Sequence, residues 1–173
     1  MIWKNGFSIL NKTGYVNKKI LTGIILVVLI PAAVYALSPL FFNKTINEDI
    51  PLTKPGNMQE IQNAENQQSV VLSGHFVGTG DGIHDAEGTA KILSFDGHDL
   101  LRLEDFRTTN GPDLHVYLAT DEKATEYIDL GSLKANIGNQ NYPVPEGTDL
   151  SKYDTALVWC KQFSVLFGHA NLS

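Results

Sequence analysis

The sequence predicts an all-β domain, an antiparallel β-sandwich, preceded by one N-terminal transmembrane helix. Three observations carry that expectation. From Ser69 onward apolar and polar residues alternate with period two between frequent turn signals. No segment past residue 69 carries a helical apolar stripe of useful length. From Ile20 to Phe42 there is no charged residue at all. A closed barrel is the alternative arrangement of the same strands.

Residues 1–19 are polar and basic and are expected to be a cytoplasmic tail. The apolar run 20–42, taken as a helix, would span roughly 34 Å, slightly more than the hydrocarbon core of a bilayer. Pro31 and Pro39 interrupt it, which membrane helices tolerate. Lys4, Lys12, Lys18 and Lys19 precede the run and Glu48 and Asp49 follow it. The positive-inside rule then leaves the N-terminus in the cytoplasm and the rest of the chain outside, on the cell membrane as a single-pass protein. Val34-Tyr35-Ala36 also has the small-residue pattern of a signal-peptidase site, in which case the domain is secreted. The length of the apolar run favours the anchor.

Residues 43–68 read as a flexible linker, with Pro51, Pro55 and a stretch rich in Asn, Gln and Glu. The β domain is expected over 69–173. Its strands are Val70–Val77, Glu87–Phe95, Asp99–Glu104, Leu114–Ala119, Tyr127–Leu133, Thr155–Phe163 and Val165–Ala170. Asp96-Gly97 is a hairpin signal and Asn110-Gly111-Pro112-Asp113 a turn. Asn136–Thr148 is expected to be a long loop. In the fourth strand Leu114, Val116 and Leu118 share one face, and His115 and Tyr117 the other.

Net charge is −6, and because the four charges before Asn43 are all lysines, residues 43–173 carry −10. An acidic domain repels phosphate backbones, so nucleic acid is not an expected partner. The single cysteine, Cys160, has no intrachain disulfide partner. It alternates with Val158 and Ala156, while Leu157 and Trp159 face the other way. Such a strand, apolar on both faces, is central or covered on both sides. The plain reading of Cys160 is then a small buried hydrophobe. A redox role would need a thiolate, lowered in pKa by a nearby cation or metal.

The five histidines show no metal-ligand spacing. A mixed site of Cys160, His84 and His115 is geometrically open across a sandwich, and nothing in the spacing demands it. Asp81, Asp85 and Glu87 lie around Gly80 and Gly82 without the ligand order of a calcium loop. No GxSxG elbow supports serine hydrolysis, and no glycine loop carries the lysine and helix of a phosphate site.

Several stretches then resemble the DM13 domain family. They are Phe106–Leu118 (FRTTNGPDLHVYL), Tyr127–Lys134 (YIDLGSLK) with Asn136–Tyr142, the closing Val158–Gly168 (VWCKQFSVLFG), and His84–Ala90 upstream. The resemblance covers about residues 70–172. It implies a small β-rich extracellular module of the kind found beside DOMON domains in proteins linked to redox chemistry. It also implies an electron-transfer role attached to the cysteine, which maps onto Cys160. No DOMON or cytochrome domain is present in these residues, so a separate redox partner protein is expected.

The resulting expectation is a membrane-anchored extracytoplasmic module in redox or electron-transfer chemistry. Cys160 would act as a thiol or as a ligand to a metal ion or haem, with little independent catalytic activity. The alternative is a non-catalytic extracellular binding or envelope-structural module with Cys160 in its core.

Overall fold

A computed structural model describes residues 18–37, 42–51, 69–95 and 97–173. The chain divides into two units, residues 1–41 and residues 42–173. In the first, α1 (Lys18–Leu37) is a 20-residue helix containing Pro31. Ile24 through Ile30 are all exposed apolar side chains, so the helix has no polar face over that stretch. Side-chain surroundings in α1 are described for residues 22–31 and Tyr35, and among the described residues no helix is long and apolar enough to cross a membrane. The basic tail to residue 17, the end of the apolar run at 38–41 and residues 52–68 of the expected linker lie outside the described residues.

The second unit is built from nine strands: β1 (Ser69–His75), β2 (Val77–Gly78), β3 (Ala86–Phe95), β4 (His98–Thr108), β5 (Leu114–Ala119), β6 (Tyr127–Ser132), β7 (Gln140–Pro143), β8 (Thr155–Cys160) and β9 (Val165–Asn171). They form two sheets, ordered β1-β3-β4-β7 and β2-β9-β8-β5-β6, with antiparallel neighbours throughout. The period-two pattern decides which side chains enter the core. Ile92, Leu101, Leu103 and Phe106 of the first sheet join Val116, Leu118, Ala156, Val158 and Phe167 of the second. Each large side chain buried this way contributes about 1.5–3 kcal/mol.

Four strand assignments differ from expectation by more than one residue: β4 runs on from the expected end at Glu104 to Thr108, and the other three differ for a local reason. The expected strand Val70–Val77 breaks at Phe76, whose ring turns into the core against Phe106 at 5.2 Å. That break lets β1 pair in one sheet and β2 in the other. The expected loop Asn136–Thr148 contains β7. Its polar Gln140 is fully buried because its amide is satisfied: Nε2 donates to the Ala135 carbonyl, and Oε1 accepts from Ala135 N–H and the Tyr142 hydroxyl. The expected strand Thr155–Phe163 stops at Cys160, where residues 161–164 turn with Ser164 at a φ of 54°.

A further difference concerns the linker. Residues 43–49 are not a free tether but a strap fixed to the β domain. Thr45 bridges Ile137 in parallel fashion, and Ile46 N–H and Glu48 N–H donate to the carbonyls of Ile137 and Asn139. Asn43 Oδ1 accepts from the side-chain amides of Asn110 and Asn136. The Glu48 carboxylate takes Lys134 Nζ at 2.8 and 2.9 Å and Asn141 N–H at 2.8 Å. Arg102, only 6% exposed, donates to the Glu48 carbonyl, to Asn141 Oδ1 and to Glu104 Oε1. The linker expectation rests on Pro51, Pro55 and the Asn- and Gln-rich stretch beyond them, most of which lies outside the described residues; Asn43 and Asn47, which precede that stretch, are hydrogen-bonding partners that hold the strap.

Candidate functional site

Strand β8 is the central strand of its sheet, between β9 and β5, and Thr155–Val158 and Cys160 are buried, so side chains on both of its faces are covered, as its sequence predicts. Cys160 is its last residue, paired with Leu114 on one side and Val165 on the other. Its side chain enters the core between the sheets and is 1% exposed. Its neighbours in that core are aliphatic and aromatic. Among the described residues, His169 Nδ1 is the only buried side-chain nitrogen or oxygen without a hydrogen-bond partner, and His169 is on a residue that pairs with Leu157 rather than Cys160. No orphaned donor is therefore aimed at the sulfur.

His115 lies on the other face of the same sheet. It pairs with Trp159, one residue before Cys160, so strand alternation points the histidine and the thiol in opposite directions. His115 Nδ1 is 2.9 Å from Asp129 Oδ1, Nε2 is 3.2 Å from Asp113 Oδ1, and Ser132 Oγ is 3.3 Å from Nε2. Lys161 Nζ reaches Asp129 Oδ2 at 2.9 Å. Partial burial pushes the Asp129 carboxyl up, but hydrogen bonds from His115, Lys161 and Gly131 N–H outweigh it and hold the group below its ordinary value.

His84 occupies a third environment. Its ring meets Phe167 edge-on at 4.5 Å, and its Nδ1 is 2.6 Å from Asp81 Oδ2. Asp81 Oδ1 also accepts the backbone N–H groups of Ile83 and His84, which holds its carboxyl well below the usual range. The acidic loop thus satisfies itself through turn chemistry. Among the described residues no group of three His, Cys, Asp or Glu side chains is placed to hold a metal ion. The trio Cys160, His84 and His115 is not brought together, because His115 sits on the opposite face of the sheet from the thiol. A metal or haem at Cys160 would need a second donor and space beside the sulfur. The sealed apolar surroundings supply neither, so these residues do not fit such a group.

The outer face of the second sheet carries what sequence reasoning missed. Tyr117 stacks on Tyr127 with ring centroids 4.3 Å apart and 13° between planes. On its other side it faces Trp159 at 6.4 Å and 28°. The His115 ring is 6.2 Å away, edge-on. Tyr117 is 1% exposed, whereas Tyr127 on the edge strand is 47% exposed. Burial, and next the nearby Asp129 charge, push the Tyr117 phenol up to about 12. The signal available in the sequence was that Tyr117 and Trp159 fall on outward positions of their strands. Their contact depends on β5 pairing with β8, which no local pattern reveals.

Fold and site together define a small two-sheet β module whose central strand carries a buried thiol on one face and stacked aromatic rings on the other. A family model described as Electron transfer DM13 matches residues 76–172, more than half of the chain, and the chain belongs to that family. The match takes in β2 through β9, with Cys160, His84 and His115, and leaves out the strap and β1. No curated protein and no solved structure matches the chain.

Proposed function

We propose that this chain presents a DM13 electron-transfer domain on the extracytoplasmic side of a membrane, held there by the apolar run 20–42, and exchanges electrons with a separate redox partner protein. The family match over residues 76–172 carries the electron-transfer part of this reading. The anchor is supported by a charge-free run of sufficient length, with lysines before it and acidic residues after it. In this reading Cys160 is core packing between the sheets, since a thiol with 1% exposure inside the hydrophobic core is shielded from reagents and partners in water.

A second reading keeps Cys160 as a redox thiol. One observation favours it: Cys160 is the last residue of β8, and residues 161–164 after it are all exposed. Opening that turn alone would bring the sulfur to water. Thiol titration of the folded full-length chain separates the two. Modification only after denaturation supports the core role, and modification of folded protein at a rate independent of global stability supports the thiol. Carbonate extraction of membranes tests the anchor: retention in the pellet is expected, and release into the soluble fraction would overturn it.

A further inference from the structure

We propose that Tyr127, Tyr117 and Trp159 form a one-electron relay along the outer face of the second sheet. The proposal rests on the electron-transfer reading and gives it a route that does not pass through Cys160. Three strands in succession, β6, β5 and β8, each contribute one ring, and the rings are in sequence face to face at 4.3 and 6.4 Å. The middle ring is sealed from water while Tyr127 is half exposed. Trp159 is partly buried and is bonded directly to Cys160.

Stacked aromatic side chains also contribute packing energy, about 0.5–1.5 kcal/mol per pair beyond burial. Packing alone does not require that the three most easily oxidised rings of the face be contiguous, nor that the contiguous path run from solvent to the centre of the sheet. The charges beside it act in the same direction. Asp129 and Asp113 are the carboxylates whose fields reach the Tyr117 phenol, and negative charge there stabilises a ring that has lost an electron.

The step balances as follows. A one-electron oxidant, by class a high-potential metal complex, takes one electron from the Trp159 indole. An electron from Tyr117 refills the indole, and one from Tyr127 refills Tyr117. The Tyr127 phenol then releases its proton to water, which its exposure permits, and ends as a neutral tyrosyl radical. The oxidant is reduced by one electron, and Tyr127 has lost one electron and one proton. Tyr117 is a poor resting place for the hole because its hydroxyl holds its proton tightly in its buried position.

The test uses the full-length chain in detergent, with a ruthenium photo-oxidant attached through Gln162→Cys in the exposed turn next to Trp159. The label is placed in a Cys160→Ala background, which leaves the introduced cysteine as the single thiol. Flash oxidation is expected to give a tyrosyl radical by electron spin resonance, absent in Tyr127→Phe. In Tyr117→Phe its formation slows on the order of tenfold or more, since a factor of ten needs only about 1.4 kcal/mol of barrier and phenylalanine is far harder to oxidise than tyrosine. Circular dichroism of each variant confirms the fold. Unchanged kinetics in Tyr117→Phe, or a radical that persists in Tyr127→Phe, would overturn the relay. The family reading is read separately, from electron exchange between the unlabelled chain and its membrane fraction. Exchange at an unchanged rate in Tyr117→Phe overturns the relay and leaves that reading standing, whereas no exchange in the native chain overturns the reading itself.

Discussion

Cys160 and His115 point away from each other through one sheet: the thiol faces the core on the side of its strand partner Leu114, and the imidazole, on the strand position paired with Trp159, lies on the outer face between Asp113 and Asp129. Two residues that share a family signature are thus separated by the sheet itself. His115 and Cys160 therefore make no direct side-chain contact across the sheet.

Burial of the thiol predicts its chemistry. Aqueous thiol reagents will leave Cys160 unmodified in the folded chain and modify it fully in denaturant. Cys160→Ser is expected to cost about 1–3 kcal/mol, because it leaves a hydroxyl unsatisfied in an apolar core. Cys160→Ala should cost less, since the cavity is small. Urea unfolding of both variants checks the order; a serine variant as stable as the alanine variant would mean the site is polar or open.

The strap predicts that the folded unit starts near residue 43 rather than at 69. Arg102→Ala removes a buried guanidinium that holds Glu48, Glu104 and Asn141 together, and should cost about 2–4 kcal/mol. The same variant should free residues 43–49, read as faster amide exchange at Ile46 and Glu48. Loss of stability with unchanged exchange in the strap would refute the coupling.

Gly138 fixes how closely the strap approaches. It has a φ of 102°, and a Cβ there would overlap the Ile46 carbonyl oxygen. Gly138→Ala combines backbone strain with that overlap and is expected to destabilise by about 1–3 kcal/mol. Gly111→Ala is the contrast: its φ is not in the left-handed region, and its Cβ would meet side-chain atoms of Leu114 and Phe167 rather than backbone. A smaller loss in melting temperature for Gly111→Ala than for Gly138→Ala is the expected ranking.

Acid should weaken the domain. Glu48, Glu104 and Asp129 each have a folded-state pKa below the ordinary value, because burial raises them less than hydrogen bonds to Lys134 and Asn141, to Lys91 and Arg102, and to His115 and Lys161 lower them. Such groups bind protons more readily unfolded than folded. Their stabilisation is complete above the ordinary values of 4.5 for glutamate and 3.8 for aspartate, and is lost as pH falls through the lower folded values. Urea midpoints measured from neutral pH downward should fall in that range, with a shallower fall in Glu104→Gln. A fall that begins well above the glutamate value would point to a histidine instead.

The sequence by itself determined the two-sheet class, the face on which each of Leu114–Ala119 and Ala156–Cys160 lies, and the family, because strand alternation and signature motifs are local properties of the chain. It also marked Cys160 as buried or central. Only the tertiary structure decided which strands are neighbours. That pairing set His115 against Trp159, assembled the Tyr127–Tyr117–Trp159 stack, and turned Asn43–Asp49 from apparent linker into a strap. In each case the partners lie many residues apart, and a hydrogen bond or ring contact between them leaves no periodic trace in either segment. The physical reason is the same for all: alternation records which face a side chain takes, while the cross-strand register that brings two faces together is set by the packing of the whole core.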